Sequence, residues 1–392
     1  MIWPAGLDVR GFLEDYWQKR SLYLPGALPQ FATVVDGDEL AGLACEPALE
    51  SRIVLRDAAD HWSLRHGPFE ESDFETLPER DWTLLVQDVD KHLAEVAAVL
   101  AHFEFLPDWR LDDVMISYAA PGGSVGPHVD AYDVFLLQAA GRRGWSLDPA
   151  PADLSLRPRA PLKLLSRFTP VERFDLAPGD LLYVPPGVAH HGVGEAPSVT
   201  WSIGFRAPSA ADLLREAAAL MDDALPDARY ADPDLDPSEV RPGQLSAAAV
   251  RRARALLDAG REMIDTDHAA AALGRAATRA KPWLAPQPSD HPLAADSLVA
   301  RLDEGARLRR HPDARVLWCE RAEGIWLFAD GESWALPEGL ARLAACAAGT
   351  APFGAAELAA ASDPPAAAEV LAALHAQGSL ELLDAASEGE AI

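Results

Sequence analysis

Cysteine is scarce in this 392-residue chain: Cys45, Cys319 and Cys346 stand alone, with no CxxC spacing. Neither a disulfide framework nor a thiolate metal site is indicated. Positive charge is short as well. The 34 basic residues against 61 acidic ones leave a net charge of -27, which argues against general affinity for DNA, RNA or anionic membranes, because phosphate binding needs basic counter-charge. Such acidity suits a basic protein or peptide partner, or serves solubility alone. Long apolar runs are missing too, since no stretch reaches the roughly 18 consecutive apolar residues that a membrane span needs. The opening "MIWPAGLDVRGFLEDYWQKR" has no basic segment followed by an apolar run and a small-residue cleavage site, so the expectation is a soluble, cytoplasmic protein. There is no internal repeat, and the alanine-rich C-terminal third is compositional bias.

What is present is enough apolar material, 49% of residues, for two or three cores. The first part, residues 1–207, is rich in short apolar runs broken by Gly and Pro: "WTLLVQDV", "DVMISYAAPGG", "DVFLLQAAG" and "GDLLYVPPG". Strands of that length and punctuation suggest an antiparallel sandwich or barrel. "FLEDYWQKR" and "DKHLAEVAAVLAHF" read instead as helices from their apolar spacing of three and four. At Ser209 the character changes. "SAADLLREAAALMDD" offers Ser209 as N-cap with Asp212 three residues on, then Leu213, Ala217, Leu220 and Met221 along one face. A Pro- and Asp-rich connection, "PDARYADPDLDPSEVRPGQ", leads to the helical patterns "SAAAVRRARALLDAG" and "DHAAAALGRAATRAK". This helical unit, residues 208–285, is small for an independent core, and its apolar faces suit a homodimer contact. Residues 286–392 combine a hairpin pattern in "ARVLWCERAEGIWLFADGESWAL", with turns at Glu323-Gly324 and Asp330-Gly331, with helices at "EGLARLAACAAG" and "PAAAEVLAALHAQG" and a short "SLELLD". That mixture resembles a winged-helix module. Few basic residues lie on its helices, so it reads as a structural or protein-interaction domain without direct DNA binding. The fold class expected is multidomain α+β.

The chemistry concentrates in "GPHVDAYDVFLLQAAGRRGWSL". His128 and Asp130 are separated by one residue on a strand-like stretch, which points both side chains the same way. By itself such a pair is as readily a surface or core pair, and the same spacing at His311 and Asp313 spans a proline and reads as a turn. A third element follows about sixty residues later: "LAPGDLLYVPPGVAHHG" brings a strand, a Pro-Pro-Gly turn and His190. In a double-stranded β-helix this return can set a histidine beside the earlier pair. Two histidines and one carboxylate on one side of a metal, with the other side open, form the facial arrangement of non-haem Fe(II) oxygenases. Arg142 and Arg143 follow the strand "VFLLQ", so at most one points inward. An inward arginine could hold the far carboxylate of a 2-keto acid in bidentate fashion.

The blocks "PGGSVGPHVDAYDVFLLQAAGRRGW", "PGDLLYVPPGVAHHG" and "WSIGFRAPS" resemble the signature of the bacterial JmjC-type ribosomal oxygenases, cupin-like 2-oxoglutarate-dependent protein hydroxylases. "FLEDYWQKRSLYL" and "WTLLVQDVDKH" are similar to that family's N-terminal region, so the match covers roughly residues 8–208. The resemblance implies an N-terminal JmjC barrel, a helical dimerisation segment and a winged-helix-like C-terminal domain. It implies His128, Asp130 and His190 as Fe(II) ligands, with His191 competing for the last place, and Arg143 as anchor for 2-oxoglutarate. Ser117 is either a second contact to that co-substrate or a buried serine satisfied by backbone. Thr200 stands where the family would carry asparagine. The resemblance further implies consumption of O₂ and, as substrate, a basic large-subunit ribosomal protein of the L-sixteen family, hydroxylated at the β-carbon of an arginine. An acidic enzyme would meet such a substrate faster. Tyr132 and Asp133 could receive the arginine by stacking and a salt bridge, or serve packing and turn capping.

Other readings remain at this stage. A cupin isomerase or dioxygenase without 2-oxoglutarate would leave Arg143 and the additional domains unexplained. A 2-oxoglutarate oxygenase that demethylates or hydroxylates another basic protein would use the same residues. A silent acidic scaffold would keep the ligand set without turnover.

Overall fold

Strand β7 (Val134–Ala140) shows how the N-terminal part is built. Its sequence VFLLQAA is buried at all positions but the last, because the two faces of the strand enter different cores. Phe135, Leu137 and Ala139 join a large cluster under the N-terminal helices, while Val134 and Leu136 join a second cluster between two sheets. A strand covered on both faces reads as a continuous apolar run rather than an alternation. The computed structural model describes residues 1–31, 34–221, 229–233, 235 and 241–384. The chain divides into two compact units, Met1–Ala207 and Pro208–Ile392; the segments expected over 208–285 and 286–392 both lie in the second.

The other strands of the first unit are β1 (Leu22–Leu24), β2 (Ser51–Arg56), β3 (Trp62–His66), β4 (Trp82–Val86), β5 (Leu111–Ala119), β6 (His128–Val129), β8 (Arg143–Asp148), β9 (Glu172–Leu176), β10 (Leu181–Val184), β11 (Ala189–Gly194) and β12 (Ser198–Phe205). They make an eight-stranded sheet in the order β1-β10-β7-β12-β5-β4-β2-β3 and a four-stranded sheet in the order β6-β11-β8-β9. Neighbours pair antiparallel throughout. The larger sheet is backed by helices α1 (Val9–Asp15), α2 (Gly37–Leu43), α3 (Glu71–Glu75) and α4 (Ala94–Ala97). Phe12, Leu40, Val96 and Phe103 pack there against Phe135, Trp201 and Ile203. Between the sheets, Leu136, Leu182 and Val184 meet Trp145, Leu147 and Leu176. The two antiparallel sheets form the double layer that the sequence resemblance implies, and its interior is where the polar residues of interest sit.

One stretch departs from the helical expectation. Residues 90–103 form a 3₁₀ turn at Val89–Lys91, the short α4, and a 3₁₀ segment at Ala98–Phe103. Leu93 breaks the run by taking an extended conformation (φ -122°, ψ 113°). Apolar spacing of three and four cannot separate an α-helix from linked 3₁₀ turns that bury the same residues.

In the second unit, α5 (Ala210–Leu220) starts at a capping box in which Ser209 and Asp212 bond reciprocally, as the sequence implies. Nine of the 19 residues of the connection at 226–244 lie outside the described residues. Then follow α6 (Ala247–Glu262), α7 (Thr266–Thr278), α8 (Ala295–Asp303), α9 (Ala341–Ala348), α10 (Ala355–Ala359) and α11 (Pro364–Ala376). They accompany strands β13 (Arg307–Arg310), β14 (Val316–Arg321), β15 (Gly324–Ala329), β16 (Glu332–Leu336) and β17 (Leu380–Leu383). Strands β14, β15 and β16 form one sheet, and β13 pairs with β17. Among these helices α6 stands apart, because none of its 16 residues is buried. His311 and Asp313 fall in a turn, where Asp313 N donates to His311 Nδ1. Among the described residues, no helix is long and apolar enough to cross a membrane.

Candidate metal centre

The register of β6 against β11 sets His190 directly opposite His128. Their rings lie 4.2 Å apart between centroids. Each imidazole is turned by its own backbone neighbourhood: His128 Nδ1 is 2.9 Å from the Gly126 carbonyl, and His190 Nδ1 is 3.0 Å from that of Val188. Those carbonyls require Nδ1 to donate, which leaves Nε2 of both rings as the lone-pair atom aimed at the same space. Asp130 lies just beyond the end of β6, and its Oδ2 is 3.8 Å from His128 Nε2 and 3.6 Å from His190 Nε2. The Pro-Pro-Gly turn before β11 holds the backbone of Asp130, since Gly187 N donates to its main-chain carbonyl at 2.9 Å. Gly187 does so at φ +84°, a conformation that L side chains avoid.

Burial, followed by the neighbouring His128, holds His190 well below the ordinary histidine range. The ring is therefore neutral at pH 7, as a metal ligand must be. His191 is carried on the other side of the strand, edge-on to Phe168 at 6.0 Å. The three donor atoms that lie within 4.8 Å of one another belong to His128, Asp130 and His190.

A second cluster lies on the inner face farther along the sheets. Ser117 on β5 is paired with Thr200 on β12, and Thr200 with Gln138 on β7; all three are buried. Arg143, at the start of β8, is 6% exposed, whereas Arg142 is exposed. Its Nη1 donates to Ser117 Oγ at 3.0 Å and its Nη2 to the Ser198 carbonyl and hydroxyl at 3.4 Å, while Nε has no partner. No described carboxylate pairs with it. Burial lowers its pKa to about 10, which still leaves it charged at neutral pH. A buried cation that meets only hydroxyls and a carbonyl is costly, and an anion would relieve it. Leu147 is paired with His190 on β11 and Gly194 with Arg143. About 13 Å of strand thus separates the two levels, a span that an arginine arm and a five-carbon dicarboxylate would fill together. The donor set of the trio fits Fe(II), and the unpaired guanidinium fits 2-oxoglutarate.

The structure separates Tyr132 from Asp133. Tyr132 is 42% exposed; partial burial of its hydroxyl, and then the field of Asp130 and Asp113, raise its pKa, while Arg52 opposes them. Asp133 is fully buried. One of its oxygens accepts from Tyr183 at 2.6 Å, and the other from Gln18 at 2.9 Å and Arg110 at 2.8 Å. With both oxygens engaged inside the unit, Asp133 has no capacity for a substrate arginine, and that expectation is corrected. The carboxylates near Tyr132 are instead Asp130, Asp113 and Asp112. Sequence reasoning also passed over Gln138 and Ser198. The signal was available: a glutamine inside VFLLQAA, and Ser198, Thr200 and Ser202 on alternate positions of SVTWSIGF, mark polar residues on one face of buried strands.

Comparison with known proteins agrees with this geometry. A JmjC domain model matches residues 98–213, and a ROXA-like winged helix model matches residues 259–381. The chain is 35% identical to ribosomal protein uL16 3-hydroxylase of Escherichia coli over 337 residues, 85% of this chain and 87% of that protein. It is 31% identical to a probable ribosomal oxygenase of Haemophilus influenzae, covering 86% of this chain and 90% of the relative. The solved structure of the E. coli ribosomal oxygenase YcfD in complex with cobalt and 2-oxoglutarate superposes with a TM-score of 0.74 at 32% identity, covering 96% of this chain and 98% of that one.

Proposed function

The chain belongs to the JmjC-domain ribosomal oxygenases, and from that premise we propose that it is an Fe(II)- and 2-oxoglutarate-dependent hydroxylase of a uL16-family ribosomal protein, acting on the β-carbon of an arginine. The observation that carries this reading is the buried, unpaired Arg143 on the same inner face as the open His128, Asp130 and His190 trio.

In this mechanism His128, Asp130 and His190 hold the iron through two Nε2 atoms and one carboxylate oxygen. Arg143, assisted by Ser117, anchors the distal carboxylate of 2-oxoglutarate. When bound, iron and co-substrate supply the oxidising chemistry that places one atom of O₂ in a C–H bond while 2-oxoglutarate becomes succinate and CO₂. The protein's own part is positional. The Gly126 and Val188 carbonyls fix the imidazoles, Thr200 donates to Gln138 at 2.9 Å and keeps that wall of the pocket ordered, and Leu136, Leu182 and Trp145 exclude water behind it. Tyr132 offers a ring face to an arginine, whereas Asp112 is paired with Arg206 at 3.0 Å and Asp113 accepts from Asp88 N at 3.1 Å.

This reading puts the enzyme's work in the cytoplasm, where ribosomes are assembled. We read α6 as part of a homodimer contact, because Val250 and Leu257 are 57% and 75% exposed on a helix that buries none of its residues. Sedimentation at micromolar concentration tests this, and a monomer there contradicts it. The test of function is incubation with Fe(II), ascorbate, 2-oxoglutarate and the host's own uL16-family protein, followed by fragment mass spectrometry. One added oxygen on a single arginine is expected. Turnover of 2-oxoglutarate only with other basic proteins would reassign the substrate, and no turnover with any would refute the enzyme.

A further inference from the structure

Arg52 on β2 is not used by the chemistry described so far, yet the sheet register puts it on the active face. It is paired with Leu85 on β4, Leu85 with Ser117 on β5, and Ser117 with Thr200 on β12. Directly paired residues of an antiparallel sheet project from the same face. Arg52 therefore stands in one row with the residues that line the Arg143 pocket, two strands out from Ser117. Its side chain leans over Met115, with Nη2 3.9 Å from the sulfur; Met115 is two residues from Ser117 and so shares its face.

Arg52 makes no ion pair among the described residues. Its strongest side-chain contact is to a thioether, a weak acceptor, so most of its five N–H donors are free for a visitor. Arg52 complements what every peptide brings whatever its sequence, namely main-chain carbonyls, and a planar fork of donors suits them.

We propose that Arg52 is a substrate-holding residue whose guanidinium takes a main-chain carbonyl beside the residue presented to the metal centre. The inference rests on the proposed function and deepens it: Arg52 fixes the strand that carries the target side chain. Holding the strand keeps the target carbon in place while 2-oxoglutarate is consumed, so Arg52 also sets the coupling between succinate formed and hydroxyl installed.

The test uses full-length protein and the host's uL16-family protein. Affinity is read by fluorescence anisotropy of the labelled substrate on enzyme without iron, and coupling as succinate produced per hydroxylation. Loss of a charge-assisted hydrogen bond corresponds to about 10- to 100-fold weaker binding, and this is expected for Arg52→Ala, with more succinate per hydroxyl and an unchanged KM for 2-oxoglutarate. Arg52→Lys, which keeps the charge but not the fork, should lie between. The sign is diagnostic. On a chain of net charge -27, removing a positive charge strengthens long-range attraction to a basic substrate, so a variant that binds as well as or better than wild type overturns the inference. A raised KM for 2-oxoglutarate with unchanged substrate affinity also overturns it and assigns Arg52 to the co-substrate pocket. Should wild type neither bind nor hydroxylate the ribosomal protein, the proposed function fails first, and Arg52 as its substrate holder with it.

Discussion

Two buried charges, Glu216 in the second unit and Arg143 in the first, are treated in opposite ways. In the second, Glu216 is 3% exposed but meets Arg275 at 3.0 Å and Arg279 as well, so α5 and α7 are joined by a satisfied ionic contact. Asp330 there accepts from Arg315 N at 3.0 Å and from Ser379 at 2.6 Å. In the first unit, Arg143 is buried just as deeply and is given hydroxyls and a carbonyl but no carboxylate. Folding alone does not favour an arrangement of that kind. The difference teaches where to look for function: a buried charge that its own chain has satisfied belongs to the fold, and one left for a partner from outside belongs to a site.

The comparison breaks most sharply at the metal trio. His128→Ala should abolish hydroxylation, a larger loss than the roughly 10- to 100-fold that follows removal of a group merely supporting a ligand. The melting temperature of the metal-free protein should hardly change, because His128 is partly exposed; calorimetry beside the activity assay reads both. Glu216→Ala should do the reverse. It leaves Arg275 without its buried partner and costs about 2–4 kcal/mol of stability, toward the low side of a broken buried pair because Arg279 reaches solvent. Succinate formation per folded molecule should be unaffected.

The smallest effect sharpens the contrast within the second unit. Burial raises the pKa of Asp330 above its ordinary value. For a carboxyl raised in the folded state, the native form binds the proton more tightly than the unfolded form, so the favourable contribution is full at low pH and is lost as pH rises through the folded value. Asp330→Asn keeps an oxygen for Arg315 N and an amide for Ser379. Denaturant melts should therefore show a flatter dependence from the ordinary aspartate range upward, and at pH 7 a stability equal to or above that of wild type.

How much of this was legible depended on the kind of signal. The trio was, because a strand alternation, a Pro-Pro-Gly turn and a second strand are all local patterns that point to His128, Asp130 and His190. Alternation allowed only one of Arg142 and Arg143 to point inward, and the family resemblance picked out Arg143. Asp133 was misjudged, because proximity to Asp130 in sequence says nothing about which side of the turn it takes; its partners Gln18, Arg110 and Tyr183 come from distant parts of the chain. Residues 90–103 kept their apolar spacing but not their helix, since Leu93 turns the chain at a point that periodicity does not register. Arg52 was invisible for a further reason: its place in one row with Ser117 and Thr200 exists only in the pairing of β2, β4, β5 and β12.

The central claim is that Arg143 is left unpaired for the co-substrate, and Arg143→Met tests it most directly. Calorimetric titration of 2-oxoglutarate into the cobalt-loaded variant, with a melting curve of the same sample before loading, separates binding from folding. Removal of a buried, uncompensated cation should leave the melting temperature unchanged or raise it, while 2-oxoglutarate affinity should fall by roughly 100-fold, the upper range for a lost hydrogen bond to a charged group. A variant that binds 2-oxoglutarate like wild type, or one that melts much earlier, would contradict the account, because Arg143 would then serve the barrel and not its ligand.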